Sequence, residues 1–557
     1  MTGADQRQAT FCATLVDEWI AKGLEHVVIC PGSRSTPMVL ALAARPELSC
    51  HVRLDERSAA FVALGIARAT RRPVGVLVTS GTAAAELFAA VCEANHAFVP
   101  LLLLTADRPP ELQGVGAPQA MDQVGLYGSH VREAWSIDPR DLESGEWRGL
   151  AAETYAATLG AAPGPVQLNL MLADPLVGEA GSLPPRSNEH ASVAPEQANL
   201  DHRAVEALSG RRVLVVAGEA DYEPEQLAQL AERLGWPVVA DPRSGLRGAG
   251  GSVICAADLI ARELPEHLVP EAVLRIGGLP ASKAVGQLIT QVSRQGAPVV
   301  LLDHVDRPSD PDHAVTLGQP GSLRDLIGSL EGVADPAPPG WAEGWAVAES
   351  ALQAALDLAL AGSCTEPAVA RAISGLAGVE LVVSSSMPVR DLEAFGRSAP
   401  GQGRVHANRG LNGIDGVTST AIGVALGSRR PTVLLTGDLA FLHDATALVD
   451  GVGEASLDVV VTDNDGGAIF SFLPQHEALA PEAFERFFGT PPRVGVAALA
   501  RACGHEVVEP AGPDELLAGL EKVLGRPGLR VWRVVVPHRE DNLELHRRLA
   551  AMARETR

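Results

Sequence analysis

Two stretches toward the C-terminal end, TVLLTGDLAFLHDATAL (432–448) and LDVVVTDNDGGAIF (457–470), decide the fold. Each opens on a run of Val and Leu and stops abruptly in acidic residues and glycine. Short apolar runs bounded by turn formers read as strands buried on both faces. Asp438 ends the first strand and Asn464, 26 residues later, ends the second, an interval long enough for a helix and a returning strand. Ligands of open parallel sheets bind beyond the carboxyl ends of the strands, so the two side chains are expected to converge on one crevice. A carboxylate, an amide oxygen and the backbone carbonyl of Gly466 are hard donors that suit octahedral Mg2+, with water and phosphate oxygens filling its other positions. A helix beginning near Leu439 would aim its first N–H groups at that phosphate. Gly, Asp and Asn are also common turn formers, so the spacing alone equally describes a plain strand-end turn.

The same grammar recurs upstream. In the third block VELVVSSS (379–386) precedes these strands and LRVWRVVV (529–536) follows them. A second block opens on RRVLVVAGEAD (211–221), continues through a helix around Gln226 to Leu234 and WPVVAD (236–241), and carries AVLRIGG (272–278) and PVVLLD (298–303). The first block starts with a helix in which Phe11, Leu15, Val16, Trp19 and Ile20 recur at helical spacing before Gly23 stops it. Strands follow at HVVIC (26–30), HVRL (51–54), PVGVLVTS (73–80), PLLLLTA (100–106) and PVQLNL (165–170). Strands alternating with helices predict parallel sheets covered on both faces. Polar, Pro-rich stretches near 177–200 and 333–340 read as linkers. The expected fold is α/β, with three doubly wound parallel-sheet domains over 1–180, 198–335 and 346–557.

A chain of 557 residues exceeds a single hydrophobic core, which agrees with several domains. Its net charge of −23 argues against nucleic-acid or anionic-membrane surfaces while leaving room for a locally basic pocket. Seven scattered cysteines without a CxxC fit reduced thiols rather than a disulfide framework or a zinc site. The start, MTGADQRQ, has neither a basic nor an apolar leader region. The densest apolar stretch, near 98–106, falls short of the roughly 20 residues of a membrane helix. A soluble cytoplasmic protein is expected.

GD followed by an Asn-containing turn resembles the thiamine-diphosphate motif, with Leu439 in place of its last glycine and DND (463–465) in place of its Asn run. This resemblance implies the thiamine-diphosphate-binding fold. It also implies that the cofactor is held through Mg2+ (or Mn2+) by Asp438, Asn464 and Gly466, with Leu439 alongside. The superfamily places an activating glutamate just after a strand, at a helix start, where it hydrogen-bonds the aminopyrimidine ring. HVRLDERSAAFVALGIARAT (51–70) puts Glu56 there. To hold a proton near neutral pH that carboxyl must be shielded from water, since its reference pKa is about 4.3. Ile414, in NRGLNGIDG (408–416), resembles the apolar residue that props the cofactor in its bent form, although core packing would ask for the same side chain.

Within the superfamily, CPGSRSTP (30–37), LDERSAAFVALGIA (54–67), VTSGTA (78–83), LTADRPPEL (104–112), GAPQAM (116–121), NRGLNGIDG and GDLAFLHD (437–444) resemble the 2-succinyl-5-enolpyruvyl-6-hydroxy-3-cyclohexene-1-carboxylate synthases. The implied chemistry is decarboxylation of 2-oxoglutarate and addition of the resulting succinyl carbanion to isochorismate, in menaquinone biosynthesis. Carboxylate-rich substrates call for arginines, and Arg34, Arg108, Arg390 and Arg409 fall in the matching segments. Lys283 in GGLPASKA (277–284), Ser33, Gln119, Ser386 and Phe470 complete the implied substrate set. The chain departs from the family pattern at Pro118 and Ala284. The resemblance implies a homodimer or homotetramer with active sites between subunits. An acetolactate-synthase-like or 2-oxo-acid decarboxylase activity is the alternative within the superfamily, and a catalytically silent metabolite-binding protein the alternative outside it.

Overall fold

The computed structural model describes residues 3–186, 200–249, 253–306 and 309–556, so most of the first expected linker lies outside the described residues. Strands β1 (His26–Ile29), β2 (Ser49–Val52), β3 (Val74–Val78), β4 (Leu101–Asp107), β5 (Ala134–Ile137) and β6 (Pro165–Met171) form a first sheet in the order β2-β1-β3-β4-β6-β5. A second, β12-β11-β10-β7-β8-β9, contains β7 (Val213–Ala217), β8 (Val238–Ala240), β9 (Val253–Ile254), β10 (Ala272–Ile276), β11 (Val299–Asp303) and β12 (Leu317–Pro320). The third, β14-β13-β15-β16-β18-β17, contains β13 (Glu380–Val383), β14 (Val405–His406), β15 (Thr432–Gly437), β16 (Ser456–Asp463), β17 (Glu506–Val508) and β18 (Gly528–Val535). Every paired strand runs parallel.

The twelve interior strands are those the apolar runs predict. All seven residues of β4 are buried, as a strand covered on both faces requires. The six edge strands behave differently. β5, β9, β12, β14 and β17 were not anticipated, and β2 lies two residues upstream of the expected 51–54. An edge strand has a neighbour on one side only, and β2 and β12 alternate between half-buried and exposed residues instead of showing an apolar run.

The outer sheets are tied together by two helices, Glu56–Thr70 and Val417–Ser428. Both are buried nearly all round, and their apolar residues share one cluster with β1, β3, β15 and β16. They run parallel at close approach. A methyl added at Gly65 would lie 2.1 Å from Thr420 O, and one at Gly423 would lie 2.0 Å from Val62 O. Ser58 and Ser419 join the two N-terminal ends through a 2.8 Å hydroxyl hydrogen bond. The middle sheet is fastened to the third domain by Arg247, whose buried guanidinium donates to Leu392 O and to Glu393. The long helix Trp341–Leu360, unanticipated in sequence, places Trp341 and Trp345 in a cluster with β10 and β11 residues.

Gly423→Ala is expected to lower the thermal unfolding midpoint, costing roughly 1–3 kcal/mol through overpacking. Gly286→Ala, in a helix where the added methyl meets nothing within 4 Å, is expected to stabilise by up to about 1 kcal/mol. Circular dichroism melts of both variants check the pair.

Candidate active site

The site is built from strand ends, and the two outer sheets share one strand order, so their carboxyl ends offer equivalent crevices. In the first domain Ser33 and Arg34 follow β1, Glu56 follows β2, and Arg108 follows β4. Ser33 is exposed. Arg34 is buried and donates to Leu172 O at 2.9 Å and to Asp174 at 3.2 Å. Arg108 donates to Pro118 O at 2.9 Å, and Gln119, in left-handed backbone, exchanges hydrogen bonds with Ser80. The loop carrying Pro118 and Gln119 is thereby pinned across the ends of β3 and β4.

Glu56 is the first residue of its helix, four residues beyond the shifted β2, with Asp55 capping the Ser58 N–H at 2.8 Å. Half-buried, its carboxyl is raised above the usual range, chiefly by desolvation, with Asp55 and Glu86 adding to the effect and its own backbone N–H opposing. A helix start would by itself favour the ionised form, and burial overrides it.

In the third domain Ser386 and Arg390 follow β13, Arg409 follows β14, Asp438 closes β15, and Asn464 and Gly466 follow β16. Asp438 is 1 % exposed. Its Oδ1 accepts the Leu439 N–H at 2.7 Å and its Oδ2 the Gly466 N–H at 2.8 Å. Burial, with Asp463 and Asp465 nearby, pushes its carboxyl up to about 7 against those two hydrogen bonds. The helix that follows starts at Asp438 itself, and the Leu439 N–H is engaged by this carboxylate rather than held open. The Asn464 Nδ2 donates to Glu366 Oε1 at 2.7 Å, while its Oδ1 is buried with no hydrogen-bond partner. The Gly466 carbonyl accepts the Ala468 N–H at 3.0 Å and keeps a second lone pair.

A buried amide oxygen without a donor beside a carboxylate held back from ionising is an arrangement that a bound cation satisfies. Asp438, Asn464 and Gly466 therefore fit Mg2+. Among the described residues no group of three or more His, Cys, Asp or Glu side chains could hold a metal. The donor set here has one carboxylate, which leaves positions for phosphate and water.

Arg409 is half-buried, and desolvation together with Arg243 and Arg390 pushes its guanidinium down to about 10, partly offset by Asp241 and Glu93. Arg243 is already neutralised by Asp241 and Glu219, so the desolvated charge of Arg409 is the one that an anion would relieve. Arg243 belongs to the middle domain and was not legible in sequence. Asp241 holds Arg243 through its guanidinium and also accepts the Ala281 N–H at 2.8 Å. That second contact fixes the loop leading to exposed Lys283, the first residue of its helix. Arg390 is exposed and donates to Ser386 O. Ile414, half-buried and outside the clusters of buried apolar residues, sits in the turn before helix Val417–Ser428. Glu93 holds that turn's approach by accepting the Gly410 and Leu411 N–H groups at 2.8 and 2.7 Å. Phe470 packs edge-on against Phe488, ring centroids 5.3 Å apart.

Glu56 lies near Asp55 and Glu86, and Asp438 lies near Asp463, Asp465 and Glu366. Glu56 follows a strand of the first sheet and Asp438 a strand of the third.

Family models for the N-terminal TPP binding domain, the middle domain and the C-terminal TPP binding domain of thiamine pyrophosphate enzymes match residues 10–126, 186–380 and 392–534. Three similar proteins bear the name 2-succinyl-5-enolpyruvyl-6-hydroxy-3-cyclohexene-1-carboxylate synthase. The one from Rubrobacter xylanophilus is 38 % identical over 96 % of both chains. That from Thermobifida fusca is 40 % identical over 93 % of this chain and 94 % of its own. That from Listeria monocytogenes is 36 % identical over 99 % and 98 %.

With its carboxyl pushed up by burial to about 7, above the ordinary aspartate range, Asp438 holds in the folded chain a proton that the unfolded chain has released. Its contribution to stability therefore falls as pH rises between about 4 and 7. Mg2+ must displace that proton. Calorimetric titration in buffers of different ionisation enthalpy is expected to show release of about one proton per Mg2+ near pH 6, fading above about pH 8.

Proposed function

The chain belongs to the thiamine pyrophosphate enzyme family, among the 2-succinyl-5-enolpyruvyl-6-hydroxy-3-cyclohexene-1-carboxylate synthases, and from that premise we infer that it joins 2-oxoglutarate to isochorismate with loss of CO2. It is a thiamine-diphosphate-dependent transferase that forms a carbon–carbon bond in menaquinone biosynthesis. The observation that carries the choice of substrates is the desolvated guanidinium of Arg409 with that of Arg390 nearby, a pair suited to carboxylates.

When bound, thiamine diphosphate supplies the electron sink that stabilises the carbanion left by decarboxylation. Asp438, Asn464 and the Gly466 carbonyl would hold Mg2+ and with it the diphosphate, and Ile414 would give the cofactor an apolar prop. Glu56 would hydrogen-bond the aminopyrimidine ring, and the burial that raises its carboxyl above the usual range supports that role. Arg409, Arg390 and Lys283 orient the substrate carboxylates, Ser386 adds a neutral hydrogen bond, and Phe470 closes an apolar wall. Charge-assisted contacts of this kind contribute roughly 1.5–3 kcal/mol each.

Glu56 on the first domain and Asp438 on the third share none of the interacting residues described above, which supports an active site shared between two chains of a homodimer or homotetramer. Ser33, Arg34, Arg108 and Gln119 of one copy then face Arg390 and Arg409 of another. All seven cysteines are unpaired, which supports a cytoplasmic setting, and no helix among the described residues is long and apolar enough to cross a membrane.

Incubation with thiamine diphosphate, Mg2+, 2-oxoglutarate and isochorismate is expected to give the adduct by mass spectrometry, with pyruvate unable to replace 2-oxoglutarate. CO2 release from pyruvate without adduct would mark an acetolactate-synthase-like enzyme instead. Arg409→Ala is expected to raise the KM for a carboxylate substrate by roughly tenfold or more. Glu56→Gln and Asp438→Ala, each inactive alone, are expected to recover activity as mixed oligomers. No recovery after demonstrated subunit exchange would refute the shared site.

A further inference from the structure

Asn464 is chemically two-sided. Its carbonyl oxygen can ligate a cation and its NH2 cannot, yet the two ends have nearly the same shape. An asparagine at the end of β16 is therefore useful only if something fixes which end faces the crevice. Glu366 is placed to do this. It is the first residue of helix Glu366–Ser374, it is 4 % exposed, and its Oε1 accepts the Asn464 Nδ2–H at 2.7 Å. The Glu366 Oε1 acts here as an acceptor, which matches the NH2 end and not the carbonyl end, while Asp391 lies against the same carboxyl. The Asn464 Oδ1 is accordingly left buried and without a partner, on the side away from Glu366.

Glu366 is itself held in place. It lies 98 residues from Asn464 in sequence, on a helix whose cap Thr365 accepts the Ala368 N–H. That helix packs against helix Met387–Phe395. Asn542 of the C-terminal helix lines the same small cavity of about 80 Å³ as Glu366, with both its amide atoms buried. The groups facing Glu366 are thus Asn464, Asp391, Asp438 and Asn542.

We propose that Glu366 is a positioning residue for the cation site, selecting the Asn464 rotamer that presents Oδ1 to Mg2+. The proposal rests on Asn464 being a metal ligand. Partners that orient metal ligands in this way typically change metal affinity by about 10- to 100-fold when removed.

The test is Mn2+ binding to the full-length protein with thiamine diphosphate, followed by electron paramagnetic resonance, on variants shown to be folded by circular dichroism. Asn464→Ala tests the underlying reading, and unchanged Mn2+ affinity there would remove Asn464 from the site altogether. If Asn464→Ala weakens binding, Glu366→Leu is expected to weaken it by roughly tenfold or more. Wild-type affinity in Glu366→Leu would overturn the proposal. A second comparison holds even if Glu366→Leu fails to fold. Asn464→Asp replaces the N–H donor that faces Glu366 by a second carboxyl, and Glu366→Gln restores an N–H donor to the pair. The double variant is expected to bind Mn2+ about tenfold more tightly than Asn464→Asp alone. A role confined to packing predicts no such rescue, and its absence would equally overturn the proposal.

Discussion

The close parallel packing of helices Glu56–Thr70 and Val417–Ser428 is the contact on which the rest of the molecule depends. Gly65 and Gly423 let the two backbones meet, and any side chain at either position would collide with a carbonyl of the opposite helix. Because the helices run parallel, both N-terminal ends lie together, joined by Ser58 and Ser419. Glu56 opens one of these helices and the Ile414 turn leads into the other. One apolar interface therefore sets the placement of two functional elements more than 350 residues apart in sequence.

Electrostatics then divides the labour among the strand ends. The chain as a whole carries −23, yet Arg243, Arg390 and Arg409 gather where substrate carboxylates are proposed to bind. Asp438 and Glu366, by contrast, lie buried near other acids, and desolvation raises both carboxyls. Each set of like charges is unfavourable by itself. Arg243 is relieved within the chain by Asp241 and Glu219, while the proposed partners of Arg409 and of Asp438 are an anionic substrate and a divalent cation. Global charge excluded polyanionic partners but carried no information about either local balance.

How far the sequence could be read depended on burial. Interior strands such as β4 and β16 are covered on both faces, so a continuous apolar run announces them. Edge strands carry weaker patterns: β14 and β9 are two residues long, and β12 contains Gly and Pro. Locally encoded site residues were legible for the same reason that turns are. Asp438, Asn464 and Glu56 sit at abrupt boundaries between an apolar run and a polar one. Glu366 and Arg243 also sit at such boundaries, but what they touch is fixed by helices and loops far away in sequence.

The sequence by itself determined the α/β class, the interior strands, the cofactor motif and the arginine-bearing segments proposed to bind substrate, because each is written in contiguous residues. Tertiary structure alone decided that the two outer sheets share one strand order, although no internal repeat is visible in the residues. Only there does Arg243 of the middle domain join Arg409, and only there does Glu366 face Asn464. The physical reason is that a hydrogen bond or a charge contact acts over a few ångströms in space. Which residues come that close is settled by how whole helices and sheets pack, and no local stretch of sequence records it.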